Sequence, residues 1–279
     1  LQRGSLLHEI FQVFMEKLKL KGEKVDQKKH LSLIQETAEQ CIQNKRDEIP
    51  PPSEGIFYHE KNEIMESIKV FLAAEQSRIH PVEPILFEAA FGMRSKHKSK
   101  ALPDMTGEGI EEPVEIPVEG NNVLRLRGMI DRVDRISQNH YRVIDYKTGS
   151  YSNYEDLVCF GQGKKLQHVL YSTAAEFILR KLKMDESPMV VKSGYYFPTR
   201  RGEGREILIE REKWARYPQV LQELMKILTQ GNFLIPPDAE CNFCDFLPIC
   251  GSLANQYAKE KKNLNTAEYS VFDRLKEYE

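Results

Sequence analysis

The chain has 279 residues, of which 41% are hydrophobic and 29% are charged, and its formal net charge is -2. The length suits one large domain or two ordinary ones, and the composition predicts a soluble globular protein. No run of about 18 apolar residues is available to span a bilayer, so no membrane segment is expected. A nearly neutral chain has no overall positive charge with which to attract nucleic acid, so any such binding would depend on local basic patches.

The N-terminal part, residues 1–80, is predicted to be mainly helical. Apolar residues recur at helical spacing near its start, and these are Leu7, Ile10, Phe11, Phe14 and Leu18. They predict an amphipathic helix over about 5–20, with His8 at the edge of its apolar face. Further helices are predicted at 30–44 and 61–76, separated by IPPPSEG, because proline removes a backbone donor and clashes with a continuing helix.

The next part of the chain changes from helical to strand-like patterns. The run EPILFEAAFGM is strand-like and carries Glu88. It is followed by the basic stretch MRSKHKSK at 93–100, interpreted as a solvated loop or a local nucleic-acid patch. Residues 101–122 are rich in proline, glycine and acids, which predicts a loop or a flexible insertion.

Two strand-forming runs, VLRLRGMIDRVDRI and YRVIDYKT, are separated by SQNH and predict an antiparallel hairpin with a four-residue turn. Side chains alternate along a strand, so Asp145 and Lys147 share one face and Tyr146 lies on the other. If the hairpin pairs as its turn suggests, Asp131 lies within reach of Asp145, and a slip of one residue would separate them.

The remaining elements are a helix over 164–183, a strand over 189–198, a helix over 212–229, the cysteine-rich CNFCDFLPIC and a polar tail that is predicted to be helical. The alternation of helices and strands predicts an α/β fold with a mixed central sheet flanked by helices. In the run SGYYFP, Tyr195 and Tyr196 could stack on single-stranded bases, but alternate positions of a central strand are expected to be core.

Neighbouring carboxylates on a hairpin repel one another, and burial raises the cost of ionising either of them. A divalent cation between Asp131 and Asp145 relieves that cost, and hard oxygen ligands favour Mg2+ or Mn2+. Such an ion can bind a phosphate oxygen and lower the pKa of a water, while Lys147 stabilises the charge of the transition state. The alternative interpretation is a structural Asp–Lys ion pair at the end of a strand.

Four segments occur together in order: GSLLHEIF, GMIDRVDR, VIDYKTGS and QHVLY. This set resembles the RecB-type nuclease family of the PD-(D/E)xK superfamily. The resemblance implies a restriction-endonuclease-like core in which the metal is held by His8, Asp131, Asp145 and the main-chain carbonyl of Tyr146. It assigns Lys147 as catalytic base or electrostatic helper.

The same resemblance gives roles to three further residues. Gln167 and Tyr171 match the family's Q-x-x-x-Y element, and their spacing places them on one helix face. There they would orient the lysine and touch the DNA strand. Glu88 lies where the family often has a glutamate on its first core strand, where it would position the site or bind a second metal; an edge-strand carboxylate in water is the alternative.

Five cysteines are present, and Cys241, Cys244 and Cys250 follow a C-x2-C-x5-C spacing that indicates zinc or an iron–sulfur cluster in a reducing compartment. Resemblance to AddAB-type subunits implies a 4Fe–4S cluster whose fourth cysteine precedes the histidine motif. No cysteine precedes His8 in this chain, so the cluster is expected to be incomplete or absent. Cys41 and Cys159 are interpreted as buried or free thiols.

We therefore expect a single nuclease domain over 1–279, with a helical part (1–80), a catalytic sheet (81–235) and a cysteine motif with tail (236–279). The chain lacks an initiator Met and is expected to be a fragment of a longer cytoplasmic protein. The resemblance implies a DNA exonuclease acting on single strands or ends in double-strand-break repair, as part of a helicase–nuclease. Alternatives are a free-standing CRISPR-type nuclease and a degenerate DNA-binding scaffold. Candidate DNA-binding residues are Lys164, Lys165, Arg200 and Arg201.

Overall fold

A computed structural model describes residues 3–78, 82–93, 109–118, 122–154, 159–231, 233–236, 238–239, 241–242, 244–264 and 266–278. Most of the basic stretch at 93–100 and half of the predicted loop at 101–122 lie outside the described residues.

Three helices precede the sheet: α1 (Arg3–Lys21), α2 (Gln27–Glu48) and α3 (Glu54–Gln76). Helices α2 and α3 begin earlier than the apolar pattern predicts, because polar side chains cap them. Asp26 accepts from the backbone of Lys29, and Ser53 accepts from the backbone of Ile56. The apolar faces of the three helices form one buried cluster, which confirms the helical N-terminal part.

The described strands are β1 (Glu83–Phe91), β2 (Gly109–Ile110), β3 (Val114–Val118), β4 (Asn122–Leu126), β5 (Gly128–Ser137), β6 (His140–Tyr146), β7 (Met189–Phe197) and β8 (Arg205–Glu210). Six of them form one sheet in the order β2-β1-β5-β6-β7-β8, and β3 pairs with β4. The pairs β1–β2 and β6–β7 are parallel and the others in the large sheet are antiparallel, so the predicted mixed sheet is confirmed.

Two parts of the strand prediction were wrong. The segment 101–122, predicted as a loop, contains β2 and β3 in its described part, because Val114 and Ile116 alternate with polar or exposed neighbours and are buried. Strand β8 was not predicted, although its sequence REILIE also alternates.

The central hairpin forms as predicted, with different boundaries. Its first run is divided at Arg127 into β4 and β5, and only two residues, 138 and 139, separate β5 from β6. Asn139 has a φ of 60°, and asparagine tolerates this left-handed conformation better than most residues, which permits the tighter turn.

The later helices are α4 (Gln167–Lys181), α5 (Tyr217–Gln230), α6 (Leu247–Cys250), α7 (Ala254–Leu264) and α8 (Thr266–Leu275). Helix α5 starts after its predicted position because proline occupies its first turn, and it ends at Gly231 in the left-handed conformation. Within the described ranges, no helix has the length and apolar character needed to cross a bilayer.

The chain divides into two compact units. The first comprises Leu1–Ile116, Arg125–Leu157 and Gln167–Arg211, and it contains the six-stranded sheet with α1 to α4. The second comprises Pro117–Leu124, Val158–Leu166 and Glu212–Glu279, and it contains α5 to α8. The single domain predicted over 1–279 stays a prediction.

A buried network of charges lies on the face of the sheet that α1 and α3 cover. Arg132 is 0% exposed; its Nε donates to Asp134 at 2.6 Å and its Nη1 to Glu75 at 2.9 Å. Arg142 also donates to Asp134, and Arg78 to Glu75. Burial alone would raise the pKa of Glu75, but the two guanidinium groups beside it outweigh burial and lower this pKa to about 2.

Candidate active site

Asp131 and Asp145 meet near one end of the β5–β6 hairpin. The pairs Arg132 with Ile144 and Val133 with Val143 set the register, and its continuation places Asp131 opposite Asp145. Both carboxylates are buried. Since side chains alternate, these acids project to the face opposite Arg132 and its ion pairs. The hairpin therefore carries acids on both faces: Asp131 and Asp145 lie on one face, and the acid paired with Arg132 lies on the other.

The backbone of the second strand orients Asp131. Its Oδ2 accepts a hydrogen bond from the backbone N–H of Tyr146 at 2.6 Å. Its Oδ1 lies 3.6 Å from Nδ1 of His8, which α1 brings to the sheet. The ring of Tyr146 packs edge-on against His8, with centroids 5.5 Å apart. These contacts hold the imidazole against the acids.

Glu88 of β1 completes a compact group of ligand atoms. One donor atom each from His8, Glu88 and Asp131 lies within 4.8 Å of the others, and this is the group of potential metal ligands in the part of the chain that the structure describes. Glu88 has a φ of 44°, in the left-handed region that a non-glycine residue occupies at a cost of about 1–3 kcal/mol. Strain of this kind concentrates at functional sites, where the surrounding structure maintains it.

The charge of His8 responds to its two acidic neighbours. Burial would lower its pKa, but hydrogen bonds and charge interactions with Asp131 and Glu88 outweigh burial and raise this pKa to about 10. Without a metal ion, His8 is therefore an imidazolium that partly neutralises the two carboxylates. A divalent cation can take over this neutralisation, since metal ligation requires the imidazole to lose its proton.

Asp145 and Lys147 form a direct ion pair beside this group. Lys147 Nζ lies 2.6 Å from Asp145 Oδ2. Burial and then the charge of Asp131 raise the pKa of Asp145 to about 6, against the lowering effect of Lys147. Burial would lower the pKa of Lys147, but Asp145 outweighs burial and raises it, so the lysine is an ammonium at neutral pH.

The start of α4 supplies a further contact to the lysine. Lys147 Nζ donates to Gln167 Oε1 at 3.5 Å, and Gln167 interacts with the side chain of Tyr171 one helical turn later. The ring of Tyr171 packs edge-on against Phe91 of β1 at 5.9 Å. The structure thus joins Tyr171, Gln167, Lys147 and Asp145 in one chain of contacts.

The residues present fit a divalent cation. An imidazole nitrogen and two carboxylates form a suitable partial donor set for Mg2+ or Mn2+, with remaining positions open to water or substrate. The structure brings His8 and Asp131 together as predicted and adds Glu88, which was only a possible ligand. Asp145 is engaged by Lys147 and is not among the three grouped residues. Its role as a ligand, and that of the Tyr146 carbonyl, stay predictions.

The predicted DNA-binding residues lie outside this group. Arg200 and Arg201 are exposed and line a shallow cleft of about 310 Å³ together with His59 and Glu63. In the second unit, Lys164 is exposed and lies 3.9 Å from a carboxylate oxygen of Asp238. Lys165 is half-buried, and the role of all four basic residues in DNA binding stays a prediction.

The cysteine motif does not form a ligand group in the described residues. Cys241 is partly buried and its Sγ donates to Asn255 Oδ1 at 3.1 Å, while Cys244 and Cys250 are exposed. Burial raises the pKa of Cys41 to about 12 and that of Cys159 to about 11, which disfavours the thiolate that metal binding needs. The described thiols do not form a four-ligand set, and an iron–sulfur cluster completed by a cysteine of the longer protein stays a prediction.

One residue near the lysine, Tyr195, was considered from the sequence only as a base-stacking or core residue. The ring of Tyr195 lies under the Lys147 ammonium, with 5.3 Å between Nζ and the ring centroid. Alternation in SGYYFP indicates a buried strand, and both tyrosines are indeed buried. The aromatic character of position 195 was the available signal, but only the pairing of β7 with β6 shows which side chain it faces.

Comparison with known proteins places these features in a family. The model of the PD-(D/E)XK nuclease superfamily matches residues 1–251. The chain is 25% identical over 224 residues to an ATP-dependent helicase/deoxyribonuclease subunit from Acetivibrio thermocellus, covering 75% of this chain and 17% of that protein. It is 27% identical over 178 residues to the protein of the same name from Clostridium perfringens, covering 61% of this chain and 14% of that protein. The chain thus spans a small fraction of these relatives.

Proposed function

Because the chain belongs to the PD-(D/E)XK nuclease superfamily, we propose that it hydrolyses DNA phosphodiester bonds in a reaction that requires Mg2+ or Mn2+. The observation that carries the proposal is the group of His8, Glu88 and Asp131 beside the Asp145–Lys147 ion pair. The names of the similar proteins support a deoxyribonuclease that works with a helicase, and a role in DNA break repair is part of the proposal. We further propose that it cuts single strands or strand ends exonucleolytically.

His8, Glu88 and Asp131 would hold the cation, with Asp145 adjoining them. When bound, a divalent cation neutralises charge on a phosphate oxygen and lowers the pKa of a water. Asp131 contributes a fixed carboxylate, because its second oxygen is bound by the Tyr146 amide. The strained backbone of Glu88 directs a second carboxylate toward the same point. The imidazole of His8 gives up its proton when it becomes a ligand.

Lys147 acts as a cation in this proposal. Its raised pKa keeps the ammonium form at neutral pH, which suits stabilisation of negative charge on the scissile phosphate better than removal of a proton from water. The resemblance left open whether this residue is a base or an electrostatic helper, and the Asp145 ion pair favours the helper. Gln167 holds the ammonium from the side of α4.

The test is cleavage of end-labelled linear single-stranded DNA beside a circular single strand of similar sequence. Each is incubated with Mg2+, Mn2+ or EDTA, using the unchanged chain, Lys147→Ala and Lys192→Ala. Lys192 is a half-exposed β7 lysine that pairs with Glu210, which makes it a matched control. We expect metal-dependent loss of the linear strand that Lys147→Ala slows by about 100-fold or more and Lys192→Ala leaves unchanged.

Survival of the circle identifies an exonuclease, whereas cutting of the circle identifies an endonuclease. If the unchanged chain and Lys147→Ala cleave DNA at the same rate, the proposed active site is wrong. A folded, monodisperse chain that binds DNA without cutting it under any metal would favour the DNA-binding scaffold instead.

A further inference from the structure

An aromatic ring, that of Tyr195, lies against the ammonium group of Lys147. We propose that Tyr195, backed by Tyr154, is a positioning residue that holds the Lys147 ammonium in its reactive place. The inference rests on the nuclease function proposed above. It adds a residue of β7 to a site otherwise built from α1, β1, β5, β6 and α4.

The register of the sheet puts Tyr195 beside the catalytic strand. β6 and β7 run parallel, and Asp145 is the partner of Tyr195 in their ladder. Tyr195 therefore projects to the same face as Asp145 and Lys147. The Lys147 Nζ lies 5.3 Å from the ring centroid, within the distance at which an ammonium is attracted to an aromatic face. Tyr195 is only 3% exposed, so the ring cannot turn away.

Tyr154 fixes this ring from the outside. Its centroid lies 4.7 Å from that of Tyr195 and 5.2 Å from that of Phe197. The three aromatic residues form a packed group at the ends of β6 and β7, and its inner member faces the lysine.

A lysine needs such support more than an arginine would. Its ammonium is a point charge on a flexible four-carbon stem, and holding it in one place costs rotamer entropy. The hydrogen bond to Gln167 is long at 3.5 Å, and the close contact is with Asp145. A metal ion would compete with Lys147 for the Asp145 carboxylate, and a substrate phosphate would compete with Asp145 for the Lys147 ammonium. The neutral ring of Tyr195 keeps its attraction for the ammonium throughout.

The first test compares Tyr195→Phe with Tyr195→Leu on single-stranded DNA. Loss of the ring should lower kcat by about 5- to 30-fold, because a cation–ring contact at a partly desolvated site contributes about 1–2 kcal/mol. The KM for DNA and the Mg2+ concentration for half-maximal activity should not change. Tyr195→Phe retains the ring and should restore kcat to within about threefold. Tyr141→Leu is the matched control, since Tyr141 is a buried tyrosine near the start of β6, beside Arg135.

A second test uses substitutions that do not disturb folding, so that a change in kcat reports on the ring itself. Phenylalanine analogues carrying one, two or three ring fluorines at position 195 preserve shape while weakening the negative ring face. We expect log kcat to fall steadily with fluorination, and Tyr154→Leu to lower kcat by a smaller factor than Tyr195→Leu. A flat fluorine series, or a folded Tyr195→Leu with unchanged kcat, would overturn the inference while leaving the nuclease proposal standing. An inactive unchanged chain would overturn the nuclease proposal itself.

Discussion

Asp131 and Tyr146 are joined across the central hairpin by a hydrogen bond of 2.6 Å from the Tyr146 amide to Asp131 Oδ2. The same carboxylate presents its Oδ1 to His8. One side chain therefore both closes the hairpin at the site and supplies a candidate ligand. These two tasks can be separated by substitution, because the first needs an acceptor and the second needs a charge.

Asp131→Asn should retain the fold and lose the activity. The amide oxygen still accepts from the Tyr146 N–H, so the free energy of unfolding should stay within about 1 kcal/mol of the unchanged chain. Asp131→Ala leaves that buried N–H without an acceptor and should cost about 1–3 kcal/mol. Urea unfolding measures both, and the cleavage assay should find both inactive. Equal stability of the two variants would show that the hydrogen bond contributes nothing.

Glu88 should show its backbone strain in a pair of variants. At a φ of 44°, glycine is not strained but alanine is, so Glu88→Gly should be more stable than Glu88→Ala by about 1 kcal/mol. This is opposite to the usual order for a strand position, where glycine weakens the strand. Chemical unfolding provides the comparison, and Glu88→Gln controls for loss of the charge alone. If Glu88→Ala were instead more stable than Glu88→Gly, residue 88 would not adopt the left-handed conformation in solution.

Divalent cations should stabilise the unchanged chain through His8. At a metal concentration about 100 times the Kd, binding contributes about 2.7 kcal/mol, which corresponds to a rise in Tm of roughly 5 °C or more. His8→Ala should lose most of this rise, and His140→Ala should keep it, since His140 is exposed at the hairpin turn. Melting curves with Mn2+, Mg2+ and EDTA make the comparison. An undiminished rise in His8→Ala would place the cation elsewhere.

The buried network around Glu75 should make stability depend on acid pH. The folded pKa of Glu75 is lowered to about 2 from an ordinary value of 4.5. Its contribution of about 3 kcal/mol is therefore fully present above pH 4.5 and is lost as pH falls toward 2. Glu75→Gln should be much less stable than the unchanged chain at pH 7, and this gap should narrow by about 1 kcal/mol or more near pH 3.5.

Urea unfolding at both pH values tests this dependence. Glu210→Gln is the control, because Glu210 is an exposed β8 residue paired with Lys192. If the difference in free energy of unfolding between Glu75→Gln and the unchanged chain is the same at both pH values, Glu75 does not cause the pH dependence.

Much of the site could be predicted because its signals are local. Alternation along β6 puts Asp145 and Lys147 on one face, and a four-residue spacing on α4 puts Gln167 beneath Tyr171. The helical pattern of the N-terminal part and the hairpin follow from the same short-range periodicities. Turn lengths and helix starts were less accurate, since a single capping side chain or a left-handed asparagine shifts a boundary without changing the apolar pattern.

What the sequence by itself determined is therefore the kind of elements and the chemistry each one carries: a histidine helix, a hairpin with two acids and a lysine, and a glutamine helix. Only the tertiary structure decided that Glu88 joins His8 and Asp131, that Tyr195 lies under Lys147, and that Arg132 is buried among acids. The reason is physical. Periodicity assigns a side chain to a face, whereas its neighbours on that face come from distant strands whose order and register depend on the packing of the whole sheet.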